Sequence, residues 1–179
     1  MSKQKQKHVK RFLTILALIA YSQVLAQKTN PAYLDNSVSG IKLRSQKTVE
    51  EIFGQGKNYI DQDDETEVAN KDGTQLLVMI FNPGGAINEF YSFRVSYNVR
   101  NLTPSLKIKT KRFITGKHIR LGLTERQVKS KLGIPTKIRT DNSLTIWNYE
   151  ATDKDGLYFG QYDFKDGKLV QFWFGEDYP

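Results

Sequence analysis

Catalytic chemistry in proteins draws mostly on histidine, cysteine and paired carboxylates, and this chain offers few of them. Its 179 residues contain no cysteine and two histidines, of which only His118 lies beyond the amino-terminal 26 residues. A Ser-His-Asp triad or a multi-histidine metal site in the later chain could therefore have one histidine at most. We interpret His118 as a polar residue at the start of a folded unit and assign no catalytic residues.

Two acidic stretches approach the pattern of a calcium-binding loop without completing it. In "DQDDETE", which begins at Asp61, Thr66 occupies the required glycine position and Asp72 that of the bidentate glutamate. The stretch "ATDKDG" has the glycine, but it starts with Ala151 and places Tyr162 twelfth. We interpret them as a solvated loop and a hairpin, and predict neither a metal site nor a cofactor. Paired carboxylates of a glycoside hydrolase stay open, because their separation depends on the fold.

The aromatic residues near the carboxyl terminus favour binding rather than catalysis. In "LYFGQYDF" and "KLVQFWF" alternate residues face opposite sides of a strand, and the side with Gln161, Asp163 and Gln171 is polar enough to face solvent. In "LTIWNYE" we interpret Leu144 and Ile146 as core, which puts the alternate aromatic residues on the open side. Exposed aromatic residues are typical of interface hot spots, and the alternative is that they belong to the core. The predicted partner-binding residues are Trp147, Tyr149, Phe159, Gln161, Gln171 and Trp173.

Charge is unevenly distributed along the chain. Between Glu50 and Asp72 there are eight acidic and two basic residues, whereas between Lys107 and Arg139 there are eleven basic residues and one acid. An anionic envelope surface is one candidate partner for the basic region, and no recognition motif points to nucleic acid. The alternative is a solvated edge strand, because "SLKIKTKRFI" alternates lysine with apolar residues. The candidate basic patch consists of Lys107, Lys109, Lys111 and Arg112.

The first 26 residues have the pattern of a secretory signal peptide. A basic start is followed by the apolar run "FLTILALIAYSQVLA", which ends in Val24, Leu25 and Ala26, the small-residue pattern of a cleavage site. Five of the 27 basic residues precede this point, which leaves 22 against 19 acidic ones and a net charge near +3. No later stretch approaches the ~20 apolar residues of a transmembrane helix. We expect a periplasmic or secreted protein that, lacking cysteine, is not a lipoprotein.

A repeated pattern predicts the fold. The tripeptide Lys-Asp-Gly occurs three times, and Asp-Gly pairs favour two-residue hairpin turns. Each of two similar stretches contains a helix signal followed by alternating strands, and in the second stretch Thr124 and Gln127 have capping-box spacing before a helix from about Glu125 to Leu132. We predict an α+β protein of two tandem units, each a short helix on an antiparallel sheet of three to four strands. A linker spans residues 27–39, and the units span residues 40–104 and 105–179.

The second unit also resembles a known family. Its segments "GLTERQVKSKLGIPTK", "IWNYE" and "YDFKDGKLVQFWF" resemble the SmpA/OmlA-type small domain of the outer-membrane β-barrel assembly lipoprotein. The doubled arrangement resembles the β-lactamase-inhibitor-protein-like fold. The resemblance covers residues 118 to 174 well and residues 40 to 99 more weakly, and the chain departs from it by lacking a lipid-bearing cysteine. The residues that match the family motif are Gly122, Thr124, Val128, Leu132, Gly133 and Pro135 in the helix, and Trp147 and Tyr149 in the first strand.

This resemblance implies a non-catalytic protein-binding domain in the cell envelope, with an assembly or an inhibitory role. The expected function is therefore an exported module that binds another envelope or secreted protein. The alternative is a domain that binds or hydrolyses envelope polysaccharide, which exposed aromatic residues and scattered carboxylates would also suit.

Overall fold

The computed structural model describes residues 34–60, 63–82, 84–153 and 156–177. The predicted signal peptide and the linker up to residue 33 lie outside the described residues. The elements are β1 (Ser37–Val38), β2 (Ile41–Lys42), α1 (Gln46–Phe53), β3 (Glu65–Ala69), β4 (Gln75–Phe81), β5 (Phe90–Tyr97), β6 (Leu106–Lys107), α2 (Glu125–Leu132), β7 (Lys137–Asp141), β8 (Leu144–Asp153), β9 (Gly156–Lys165) and β10 (Lys168–Asp177).

Eight strands form a single mixed sheet in the order β6-β3-β4-β5-β10-β9-β8-β7, and β1 pairs with β2 in a separate hairpin. Among the described strands, only β6 runs parallel to its neighbour, β3. The predicted α+β class with two tandem units, each on its own sheet, is therefore wrong, because the described residues are mostly β and share one large sheet. The physical reason is that β5 pairs with β10, which joins both sets of strands through backbone hydrogen bonds.

Both helices begin and end where local sequence signals place them. Helix α2 starts after Thr124, whose hydroxyl accepts a hydrogen bond from the Gln127 N–H while the Gln127 side chain accepts one from the Thr124 N–H, so the predicted capping box is confirmed. Helix α1 starts after Ser45, whose side chain makes no capping hydrogen bond. Both helices have eight residues, and within the described residues neither is long and apolar enough to cross a bilayer.

The hydrophobic core lies on one face of the large sheet. Val49 of α1 and Val128 and Leu132 of α2 are buried against it, together with apolar residues of the hairpin β1–β2 and of residues 108–123. Aromatic side chains supply much of this core, since Phe93 of β5 and Phe174 of β10 meet edge to face with ring centroids 5.9 Å apart. Because all of these elements cover the same face, the opposite face of the sheet carries no helix of the described residues.

Asp-Gly pairs form turns between strands, as predicted. Asp166 and Gly167 connect β9 to β10 with φ values of 50° and 69°, the positive pair that a tight two-residue hairpin requires. Gly73 also has a positive φ, in the connection between β3 and β4. The third Lys-Asp-Gly connects β8 to β9, and its residues 154 and 155 lie outside the described part of the chain.

The contact between β5 and β10 depends on one glycine. Gly175 is directly opposite Ser92, and a Cβ atom at Gly175 would lie 2.3 Å from the Ser92 Cβ and 2.5 Å from the Tyr91 carbonyl oxygen. Real Cβ atoms do not approach other heavy atoms so closely, and the backbone oxygen cannot move aside as a flexible side chain can. Glycine is therefore required for the two strands to approach each other at this point.

Replacing Gly167 by valine tests the hairpin. A β-branched residue is strained at positive φ, so Gly167→Val should lower the free energy of unfolding by about 1 kcal/mol or more in a denaturant titration. Lys165→Val is the control, because Lys165 is exposed at the end of β9. Equal unfolding midpoints for the two variants would contradict the strained turn.

Replacing Gly175 by alanine tests the contact between β5 and β10. The added methyl group has no space, so Gly175→Ala should lower the free energy of unfolding by about 3 kcal/mol, the upper range for overpacking. Ser96→Ala on the same strand pair is the control and should change stability little. If Gly175→Ala melted like the wild type, the close approach of these strands would be disproved.

Candidate binding face

The side chains that point away from the core form a second face of the sheet, which we call the open face. Register places Asn148 of β8 opposite Gln161 of β9, and Gln161 opposite Trp173 of β10. Trp173 is in turn opposite Arg94 of β5. Because opposite residues of antiparallel strands share a face, these four side chains form a row across the sheet.

An aromatic pair lies in the middle of this face. Phe159 and Trp173 meet edge to face, with ring centroids 5.0 Å apart and an interplanar angle of 79°. Both side chains are partly exposed, and the indole N–H of Trp173 has no hydrogen-bond acceptor among the described residues. Edge-to-face pairs favour a fixed geometry, so the pair forms a rigid apolar surface at which solvent can be displaced.

Beside the aromatic pair, two amides hold a carboxylate. Gln161 Nε2 donates to Asp163 Oδ1 at 2.9 Å, and Gln171 Nε2 donates to Asp163 Oδ2 at 3.0 Å. Asp163 is only 5% exposed, and this burial raises its pKa above the ordinary value, although both amide hydrogen bonds and the charge of Arg139 act in the opposite direction. The three side chains therefore hold one another in place, and we call them the amide clamp.

The structure places four of the six predicted partner-binding residues together. Phe159, Gln161, Gln171 and Trp173 all lie on the open face, on the neighbouring strands β9 and β10. Sequence alternation was sufficient for these strands, because the polar residues Gln161 and Asp163 identified the solvent side of β9. The structure adds Asp163 itself, which the sequence offered only as a marker of that side.

The prediction for Trp147 and Tyr149 is wrong, because both belong to the core. Trp147 is 5% exposed and packs on Phe164 with centroids 4.8 Å apart, and Tyr149 is fully buried, where its hydroxyl donates to the Gly133 carbonyl. The opposite side of β8 carries Ile146, which faces Asp163 on the open face. The same side of β8 also carries the polar residues Asn148 and Glu150, so it mixes apolar and polar residues, and Leu144 and Ile146 alone gave the wrong assignment.

A shallow groove of about 560 Å³ runs across one end of the open face. Buried Leu76 and Val78 of β4 form part of its floor, and Tyr97 and Val99 are exposed at its border. Such a volume lies within the range of ligand and side-chain pockets. The remaining lining residues are Glu67, Arg94, Ser96, Arg100, Leu144, Asp163, Lys165, Val170 and Gln171.

The predicted basic patch lies elsewhere on the molecule. Lys107 is on the edge strand β6, Lys109, Lys111 and Arg112 follow it in the chain, and all four side chains are exposed. In the sheet order β6 is four strands from β10, so about 19 Å separates the patch from the aromatic pair. A hollow of about 400 Å³ beside Lys111 and Arg112 is lined by Ser39, Thr110 and Ile114. The two predicted surfaces are therefore separate. The patch consists of Lys107, Lys109, Lys111 and Arg112.

The other groups with possible chemistry are not assembled into a centre. His118 is exposed in a turn with a φ of 61°. Glu65 and Glu67 lie on strand β3 rather than in a calcium-binding loop, and Asp61 lies outside the described residues. Among the residues that the structure describes, no three His, Cys, Asp or Glu side chains are grouped as a metal site would require.

Comparison with known proteins identifies no close relative. No family model matches the chain, and no curated protein does. A solved structure of a DUF4309 family protein from Bacillus subtilis is similar over 78% of this chain and 84% of its own length, with 10% sequence identity and a TM-score of 0.42. At this level the similarity carries no conclusion about function.

The buried carboxyl group predicts a pH dependence of stability. The pKa of Asp163 is raised in the folded state, so the protonated side chain stabilises the fold. This contribution to stability is fully present below the ordinary carboxyl pKa and is lost as the pH rises through the folded-state pKa. The free energy of unfolding of the wild type should therefore fall as the pH rises from acidic to neutral, and this fall should be smaller in the Asp163→Asn variant. Asp72→Asn, at an exposed turn position, is the control. Parallel pH profiles of Asp163→Asn and the wild type would contradict the raised pKa.

Proposed function

We propose that this protein is an exported, non-catalytic protein-binding module of the cell envelope, which binds another envelope or secreted protein through the open face. The amino-terminal signal pattern supports export, and the absence of cysteine supports a protein without a lipid anchor. The resemblance of residues 118 to 174 to the SmpA/OmlA-type domain supports a role in binding rather than in catalysis.

The observation that carries this proposal is the partly exposed pair Phe159–Trp173 on the open face. Tryptophan at the centre of a desolvated contact is among the commonest hot-spot residues, because it buries a large apolar area and offers one hydrogen-bond donor. The indole N–H of Trp173 is itself buried, so the pair offers a partner its partly exposed apolar ring surface.

The amide clamp makes this surface ready for binding. Gln161 and Gln171 flank Trp173 and are already held by Asp163, so a partner does not have to order them on association. Side chains that are fixed before binding reduce the entropic cost of the complex. The surface therefore combines an aromatic anchor with polar neighbours of defined orientation.

Envelope polysaccharide is the second candidate, because an aromatic pair beside amide groups can stack on a sugar ring and donate hydrogen bonds to its hydroxyl groups. Hydrolysis fits less well than binding. Glycosidases place two carboxyl groups on either side of the scissile bond, whereas the side chains beside Asp163 are Ile146 of β8, Gln171 of β10 and Gln161 of its own strand. Glu67, the other carboxyl group that lines the groove, is on β3, four strands away from β9. The polysaccharide hypothesis is therefore retained for binding only.

The chain contains two tryptophans on opposite faces of the sheet, and this permits a matched experiment. Trp173→Ala should weaken binding of the partner by ~2 kcal/mol or more and lower the stability of the fold only modestly. Trp147→Ala should instead cost ~3 to 5 kcal/mol of stability, because Trp147 is core. A photo-crosslinking amino acid at position 159 identifies the partner, and the same amino acid at exposed position 129 is the control. Titration of the purified partner with each alanine variant then measures binding.

Three results separate the candidates. A partner crosslinked only from position 159, whose affinity falls with Trp173→Ala, supports the proposal. Cosedimentation of the protein with purified cell-wall polysaccharide, abolished by the same variant, would replace it with the polysaccharide function. If Trp173→Ala melts normally and leaves the affinity for the crosslinked partner unchanged, the open face is not the binding site, and Lys109, Lys111 and Arg112 become the next residues to test.

A further inference from the structure

The outer edge of β7 is a second surface with the properties of an interaction site. Strand β7 is the last strand of the sheet, and no other strand of the described chain pairs with its outer side. All five of its residues, Lys137–Asp141, are exposed. Two isoleucines at this edge are also exposed, Ile138 by 57% and Ile134, just before the strand, by 75%.

The register of the hairpin shows which backbone groups are free. The two residues Asn142 and Ser143 connect β7 to β8, so the closing pair Asp141 and Leu144 is hydrogen-bonded. Hydrogen-bonded and non-hydrogen-bonded pairs alternate along antiparallel strands. The N–H and C=O groups of Ile138 and Thr140 therefore point outward, toward a strand that would extend the sheet.

The opposite edge of the sheet is different. There the last strand, β6, has two residues, Leu106 and Lys107, and exposed Lys109 follows in the next segment. Short strands with lysine are a usual protection against edge-to-edge pairing. The β7 edge is longer and carries charges of both signs, so it selects among partner strands rather than excluding them all.

We propose that β7 pairs antiparallel with β7 of a second copy of this chain, about a two-fold axis at Arg139. In this register Ile138 is opposite Thr140 of the second copy, so the free N–H and C=O groups of both residues are all used. Lys137 is opposite Asp141 of the second copy, which forms an opposite-charge pair on each side of the axis.

The side chains near the axis fit the same register. The two Arg139 residues are opposite each other, but each is diagonal to Asp141 of the second copy, whose carboxylate therefore lies between Lys137 and Arg139 of the first. On the other face the two Ile138 side chains are diagonal neighbours and remove apolar area from water. A second copy therefore pairs the free backbone groups of this edge, compensates its charges and covers its apolar side chains.

Pairing along β7 would join two sheets into one and place both open faces on the same side. Arg139 lies on the open face at the end of the row that contains Asp163, because it is opposite Ile146 and Ile146 is opposite Asp163. Two neighbouring binding faces bind a multivalent or repetitive partner more tightly than one face does, because the second contact forms within the complex. The dimer itself does not depend on the proposed function, and its test requires only this protein.

The absence of cysteine makes a disulfide test specific. Residues that meet at a non-hydrogen-bonded antiparallel pair have Cα atoms ~4.5 Å apart, within the range of a disulfide. Under mild oxidation Arg139→Cys should form a covalent dimer at least ten times faster than Lys129→Cys, an exposed control on α2. Equal rates for the two variants would overturn the pairing at Arg139.

Sedimentation equilibrium tests the dimer without any crosslink. The mature protein should show concentration-dependent dimerisation with a dissociation constant of about 10 μM to 1 mM, as expected of a small interface. Thr140→Pro removes one outward N–H but none of the bonds to β8, and should abolish the dimer while the far-UV spectrum and the melt stay close to those of the wild type. A wild-type protein that remains monomeric up to ~1 mM, or a Thr140→Pro variant that folds and still dimerises, would disprove the proposal.

Discussion

The pairing of β5 with β10 is the contact on which the rest of the structure depends. Without it, the strands on either side would form two small sheets, each with an unpaired central edge. Gly175 permits the pairing because no side chain fits between it and Ser92. On the core side of the same strands, Phe93 and Phe174 meet edge to face. One backbone contact therefore unites the sheet, the hydrophobic core and the open face.

The two faces of this sheet differ in what they bury and what they expose. The core face buries apolar and aromatic side chains under both helices and the segment of residues 108–123. The open face keeps an aromatic pair partly exposed and surrounds a nearly buried carboxyl group with two amides. Burial of a carboxylate is unfavourable unless it is hydrogen-bonded, so the amide clamp makes a polar centre compatible with a shallow apolar groove.

Much of the candidate site could be predicted from alternation along β9 and β10, where Gln161, Asp163 and Gln171 identify the solvent side. The same method failed for β8. There Leu144 and Ile146 suggest a buried side, but the polar residues Asn148 and Glu150 share that side, and Trp147 on the other side packs on Phe164 in the core. Alternation defines two sets of residues, but it does not say which set is buried when a set mixes apolar and polar residues, as the set with Ile146 does.

Local signals in the sequence were enough to determine helix α2 with its capping box and the turn at Asp166 and Gly167, because the interactions that stabilise them involve residues within a few positions of one another. Tertiary structure alone decided that the strands share one sheet, that Trp147 belongs to the core, and that the basic patch lies far from the aromatic pair. Each of these depends on contacts between residues distant in sequence, such as Ser92 with Gly175. The free energy of such contacts depends on the whole packed sheet, which no short segment specifies.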